Sequence, residues 1–254
     1  MSDYPTTFFG WVVMLAQKYG ADFLRGTGVT LELAILGTIF GCLLGFAVGL
    51  VQSIVVDPNA SMFSRVLTKV CKAIVALYVE VFRGTPMMVQ AMVVYYGSMS
   101  VFNLDIPSFG AGVLVLSLNT GAYMAESVRG AICGIDAGQM EGGRAIGMSY
   151  FQTMIHVIIP QAFRNLIPQI GNTFVSAIKD TSVLNVIAVT ELYFIARTVS
   201  GTYYKFFETY CIICLIYLVL TFVTSRLLRL LERRMAGSRN YELVLEDADE
   251  EGEA

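Results

Sequence analysis

The sequence predicts an all-α, polytopic membrane protein, and three observations carry that prediction. First, 56% of the 254 residues are hydrophobic and 15% are charged, where a soluble domain carries about 25% charged residues. Second, the apolar residues gather into charge-free runs. Leu33 to Val56 is one of 24 residues, long enough to span a bilayer with some tilt. Third, a polar, glycine-punctuated island, Ala131 to Gln161, lies between two apolar runs, Ile106 to Ala125 and Asn165 to Ile178.

Charge and chemistry narrow the function classes. The net charge of −3 hides an asymmetry. Tyr241 to Ala254 holds seven acidic residues and no basic ones, leaving 17 basic against 13 acidic, a net of +4. The basic residues fall at span ends and not in one patch, which is no nucleic-acid signature. The five cysteines are scattered. Cys211 and Cys214 have CxxC spacing but lie in an apolar run without a basic neighbour to lower a thiol pKa, so they read as small hydrophobes. His156 is the only histidine. No metal set, disulfide framework or cofactor is indicated.

Taken in order, residues 1–26 carry no signal-peptide pattern. Phe8, Phe9, Trp11 and Tyr19 suit an extracytoplasmic segment lying in the membrane interface. A transmembrane domain over 27–235 follows, with spans at about 33–56, 84–104, 106–126, 162–189 and 206–227. Gly37, Gly41 and Gly45 form a small-residue stripe that lets another helix approach. Ser61 to Phe82 is amphipathic, with Arg65, Lys69 and Lys72 on one stripe, and reads as an inner-surface elbow; the rival reading makes Leu67 to Phe82 a sixth span. At Arg83-Gly84-Thr85-Pro86 the helix ends, with Thr85 suited to cap the next and Pro86 to open it. Pro168 and Gly171 predict a kink in the fourth span. Glu191 to Lys205 is expected as an outer loop, and residues 236–254 as a disordered acidic tail. Placing the island inside puts 12 basic residues in the cytoplasm and four outside, with Lys179 in the membrane. The amino terminus is then outside and the carboxyl terminus inside.

Within the island, two short helices and a turn are expected. Asp136 suits an N-cap, Gly147 a left-handed C′ position, and Ser149 with Gln152 a capping box. Phe151, Met154, Ile155 and Ile158 share one helical face. Pro160 ends that helix or opens the next segment. Such a hairpin between spans is a docking surface.

Its residues also carry a resemblance. Glu141-Gly142-Gly143, three residues, Gly147, nine residues, Val157-Ile158-Ile159-Pro160 resembles the EAA loop of ABC importer permeases. The spacing agrees; Gly142 and Gly143 stand where that family usually has alanines. Two glycines in a helix cost about 2 kcal/mol relative to two alanines, so the first loop helix is expected to fray or to be firm only against a partner. Tyr78 to Pro86 (YVEVFRGTP), Ala122 to Glu126 (AYMAE) and Lys179 to Ser182 (KDTS) look like the polar amino-acid uptake subfamily, the histidine, glutamine, glutamate and arginine type. The resemblance covers roughly Thr30 to Arg229. It implies a type I permease fold with Glu141, Gly142, Gly143, Arg144, Ala145, Gly147 and Pro160 in the ATPase coupling loop. It further implies an ABC ATPase dimer, a second identical or homologous permease subunit, an extracytoplasmic amino-acid-binding protein, and residence in the plasma membrane. The chain has no GxxxxGK[ST] phosphate loop, so ATP hydrolysis is expected in the partner.

Lys179 and Asp180 lie in a stretch otherwise uncharged from Asn165 to Thr190. Insertion of such a group at mid-membrane costs roughly 2.5–3.5 kcal/mol. Together they would complement the carboxylate and ammonium of an amino acid. Adjacent helical residues point about 100° apart, however, so both face one ligand only if the backbone unwinds. Thr181 and Ser182 could satisfy backbone groups at such a break. The other reading pairs Lys179 with Glu126 or Glu191 as a gate or subunit contact. Two further classes are weighed: an ion-gradient-driven secondary transporter, which predicts inverted repeats, and an intramembrane enzyme, which needs a set of His, Asp, Cys or Glu at one depth.

Overall fold

The computed structural model describes residues 4–55 and 61–235; the expected acidic tail lies outside the described residues. The first helix, α1, runs unbroken over Phe8–Ser53, 46 residues, or ~69 Å at 1.5 Å per residue. The outer segment is therefore not a separate interfacial helix. Lys18, Asp22 and Arg25 interrupt the apolar run in the sequence, but all three are exposed, while Trp11, Leu15 and Phe23 are buried. Thr7 caps the helix by accepting from the Gly10 amide.

Four helices follow with a break between the first two: α2 Met62–Gly84, α3 Met87–Phe102, α4 Ser108–Cys133 and α5 Ala137–Ala145. α2 is amphipathic, as its basic stripe predicts, and buries only Val79. α6 Tyr150–Thr153 and a π turn at Met154–Ile158 lead into α7 Ile159–Asp180. A 3-10 segment, Thr181–Ile187, then turns into α8 Leu192–Tyr203 through a 54° bend. The expected outer loop is thus mostly helix. Glu191 starts it: fully buried, its carboxylate accepts from the Tyr193 and Phe194 amides at 2.8 Å and from the Tyr217 hydroxyl at 3.2 Å. α9, Phe206–Met235, closes the described chain.

Three of these helices, α1, α4 and α9, are long and apolar enough to cross a membrane; the bent segment from Tyr150 to Tyr203 makes a fourth if taken as one span, and α3 is a shorter apolar helix. α1 and α4 form the centre. A Cβ on Gly37, Gly41, Gly45 or Gly49 would lie 2.5–2.7 Å from Leu116, Thr120, Met124 or Val128 respectively. Only glycine admits so close an approach of two backbones. Each step of four on α1 meets a step of four on α4, so the two helices run parallel, and the α2–α3 segment between them returns the chain once.

α7 runs antiparallel to α4: Ala177 and Ile178 pack on Leu116, and Leu166 packs on Met124 and Val128. α8 and α9 close on the first turns of α1, where Trp11, Leu15 and Phe23 meet Leu192, Ala196, Val199, Ile212 and Ile213.

Candidate functional site

Two features stand out, a helical hairpin at one end of the bundle and a polar cavity beside its centre. The hairpin is built by local rules. The Asp136 carboxylate accepts from the Gly138 amide at 2.7 Å and starts α5. Gly147, at φ +86°, reverses the chain. Ser149 and Gln152 then form the reciprocal capping box, with contacts of 2.8 and 3.2 Å. The second helix departs from the expected single face. Pro160 has no N–H, and its ring crowds the carbonyl four residues back. The backbone answers with a π turn, in which the Ile159 amide reaches back five residues to Met154. Pro160 sits in the first turn of α7. Ile158 consequently points inward, while Phe151 and Ile155 point out, 70% and 41% exposed.

α5 is complete over nine residues despite its glycines. Gly143 is buried, and a Cβ there would lie 2.6 Å from Cγ2 and 2.7 Å from Oγ1 of Thr153, the residue that docks α6. Gly142 faces open space. Glu141, Arg144, Ala145 and Gly147 are exposed, and among the described residues neither Glu141 nor Arg144 is in an ion pair. With Ile146, 79% exposed, they form an outward apolar and charged surface.

The cavity, about 450 Å³, lies where the α2–α3 break meets α4 and α7. Thr85, Pro86 and Met87 form one wall, and Asn119, Thr120 and Tyr123 another. Gln169, Asn172, Thr173, Ser176 and Asp180 on α7 form the third. Asp180 is the one charged side chain on these walls. The α7 contribution continues a polar stripe, Gln161, Asn165, Gln169, Asn172, Ser176 and Asp180, at steps of three or four.

Of the candidate path or gate residues Lys179, Asp180, Glu126, Thr181 and Ser182, the structure brings Asp180 alone to this cavity. Lys179 and Ser182 line a second recess of about 280 Å³ with Tyr193, Tyr210 and Tyr217. The helix is regular through Asp180, so the two charges diverge as helical geometry requires. Thr181 and Ser182 do satisfy backbone groups, donating to the carbonyls of Ile178 at 2.9 Å and Lys179 at 2.7 Å where α7 tightens into the 3-10 segment. Neither expected partner reaches Lys179. Glu126 lies between Arg83, at 3.5 Å, and Arg129, whose Nε donates to it at 3.0 Å, and Glu191 is the α8 cap. Asn119, Gln169, Asn172 and Ser176 were not singled out, and Thr85 was expected only as the cap of α3, whereas its hydroxyl donates back to the Val81 carbonyl at 2.8 Å and Pro86 holds the cap position. The stripe along 161–180 was the available signal for Gln169, Asn172 and Ser176, since a span facing lipid on all sides carries no such row.

Residues 58–237 match the family described as binding-protein-dependent transport system inner membrane component. The chain belongs to that family. The permease is 35% identical over 214 residues to the glutamine transport system permease protein GlnP of Escherichia coli (strain K12), covering 84% of this chain and 92% of that one. It is 36% identical over 239 residues to the L-cystine transport system permease protein TcyB of Bacillus subtilis (strain 168), covering 92% and 97%. Among solved structures it is similar to an amino acid ABC transporter crystallised with histidines. That match has a TM-score of 0.76 and 38% identity over 87% of this chain and 97% of that one. The inward-facing MetNI methionine ABC transporter shares the fold, with a TM-score of 0.70 at 19% identity over 86% of this chain and 98% of that one. GlnP and TcyB are transport-system permease proteins. The cavity and the hairpin therefore belong to an all-helical membrane permease.

Proposed function

We propose that the permease is the membrane subunit of an ATP-driven importer that carries polar amino acids across the plasma membrane. The observation that carries this reading is the cavity. A polar stripe on a membrane helix has no place against lipid, and here the stripe, ending in the Asp180 carboxylate, faces Thr85, Asn119, Thr120 and Tyr123 across a space of amino-acid size. Asp180 suits the substrate ammonium; the amides and hydroxyls suit its carboxylate and polar side chain. The exposed remainder of the stripe is to be covered by a second permease subunit, identical or homologous, across a shared path.

In the same reading Glu141, Gly142, Gly143, Arg144, Ala145, Gly147 and Pro160 form or shape the surface that an ABC ATPase dimer grips. The outward apolar residues Ile146 and Phe151 support a protein partner there. An external amino-acid-binding protein delivers the substrate. The parallel register of α1 and α4 supports five spans, because two independent crossings by α2 and α3 would make those helices antiparallel. A secondary transporter gains no support: the relatives named above include transport-system permeases and an ABC transporter.

The test is uptake of radiolabelled glutamine, histidine, arginine and glutamate by cells expressing the permease with its ATPase and binding protein. Accumulation of at least one, lost on depletion of the ATPase, is the expected result. Uptake that is indifferent to the ATPase would reject the proposal.

A further inference from the structure

The wall formed by the α2–α3 break is held by two side-chain amides. Inside a membrane, free backbone carbonyls need donors from the protein, and the break has few, since Pro86 brings no N–H. Gln90 supplies them. Its Nε2 lies 2.9 Å from the carbonyl oxygens of Phe82 and Thr85 and 2.9 Å from Thr85 Oγ1. Asn119 Nδ2 donates to Gln90 Oε1 at 3.0 Å and approaches the Phe82 carbonyl at 3.3 Å. Gln90 is 7% exposed and does not line the cavity; Thr85 and Asn119 do. α2 is otherwise held by Val79, its one buried side chain, by a Tyr78 hydroxyl bond to the Leu118 carbonyl at 2.6 Å, and by the Arg83–Glu126 ion pair at 3.5 Å.

We propose that Gln90 and Asn119 are positioning residues: their amide pair fixes the break so that Thr85 faces the cavity, and thereby tunes which amino acid the cavity accepts. The second half rests on the reading of the cavity as the transport path. An apolar contact would join α2 to α4 equally well. It would leave the Phe82 and Thr85 carbonyls without donors and Thr85 held only through its hydroxyl, which donates to the Val81 carbonyl at 2.8 Å.

The test uses the full permease–ATPase complex with its five cysteines replaced. Thr85→Cys is alkylated with iodoacetamide, and Ser176→Cys on the facing wall serves as control. Gln90→Leu is expected to change the Thr85→Cys rate roughly tenfold, the effect of about one lost hydrogen bond to a buried partner, and to leave Ser176→Cys unchanged. Gln90→Glu, which keeps the size and the acceptor for Asn119 but loses the donor, shifts the rate in the same direction. Tyr78→Phe, which cuts a different α2–α4 tie, leaves it unchanged. A parental rate in both Gln90 variants, or an equal change in Tyr78→Phe, overturns the assignment. In transport, Gln90→Leu is expected to change the ratio of glutamine to histidine uptake, whereas Tyr78→Phe scales both alike; an unchanged ratio overturns the tuning. The alkylation needs no transported substrate. A parent that moves none of glutamine, histidine, arginine and glutamate therefore counts against the importer reading, while the alkylation still decides the geometry.

Discussion

Gly142 and Gly143 are neighbours in one helix with opposite structural demands. Gly142 faces open space, so an alanine there gains helix propensity at no steric cost, about 1 kcal/mol. Gly143 lies against Thr153, which is itself bonded to the Ser149 carbonyl at 3.0 Å, and an added methyl overpacks the hairpin by roughly 1–3 kcal/mol. Gly142→Ala should slow hydrogen exchange of the α5 amides and Gly143→Ala speed it, with Thr153→Ala restoring the latter; equal effects at both positions would contradict the packing described. Gly147 is different again. No atom lies within 4 Å of a Cβ there, so its constraint is conformational, from φ +86°. Gly147→Asn, which tolerates the left-handed region, should retain more substrate-stimulated ATPase activity than Gly147→Val. Equal activities would show that the turn does not matter for coupling. The caps and this turn were legible in the sequence because each depends on residues within four positions. The demand on Gly143 was not, because it depends on how α6 folds back.

At the scale of elements, the α1–α4 contact was half legible. The i, i+4 glycines Gly37, Gly41 and Gly45 announce a close helix, but not which one, and Gly49 extends the row. Gly45→Leu places atoms against the Gly121 carbonyl, 2.7 Å from a Cβ, where backbone cannot yield. The expected outcome is loss of folded, membrane-inserted protein, measured as monodisperse yield in detergent; a normal yield would mean α1 and α4 are not the fixed centre. The π turn and α8 escaped the sequence reading although their starts are local, Pro160 against the turn before it and Glu191 capping the Tyr193 and Phe194 amides. What the sequence did not show is the burial of Glu191 against Tyr217, which holds that cap within the bundle. The charged pair on α7 was legible as unusual, and helical geometry already argued against a shared ligand. Asp180→Asn should lower amino-acid uptake at least about tenfold, as a lost charge-assisted hydrogen bond would. Lys179→Met, which alters the separate recess, should lower it by a different amount and leave the order of preferred amino acids unchanged. If Lys179→Met changes that order and Asp180→Asn does not, the cavity is assigned to the wrong side of the helix.

At the scale of the whole molecule, the α1–α4 register fixes that these two helices run in the same sense, and the proposed sidedness rests on the distribution of basic residues. A cysteine at the exposed Tyr204 should react with a membrane-impermeant reagent from outside, and one at the exposed Gly138 only from inside. The reverse pattern would invert the topology. Composition and span-length runs made the fold class legible, and the spacing of the hairpin made the family legible. The cavity was not, because three distant stretches build it, and only α7 advertises its share as a polar stripe.

The central claim is that ATP hydrolysis by a partner drives an amino acid through this subunit. It is tested most directly in proteoliposomes holding the permease with its ATPase, ATP inside, the binding protein and radiolabelled amino acid outside, and ionophores present to dissipate ion gradients. The account predicts accumulation that requires ATP and survives the ionophores. Accumulation that proceeds without ATP and collapses with the ion gradient would contradict it.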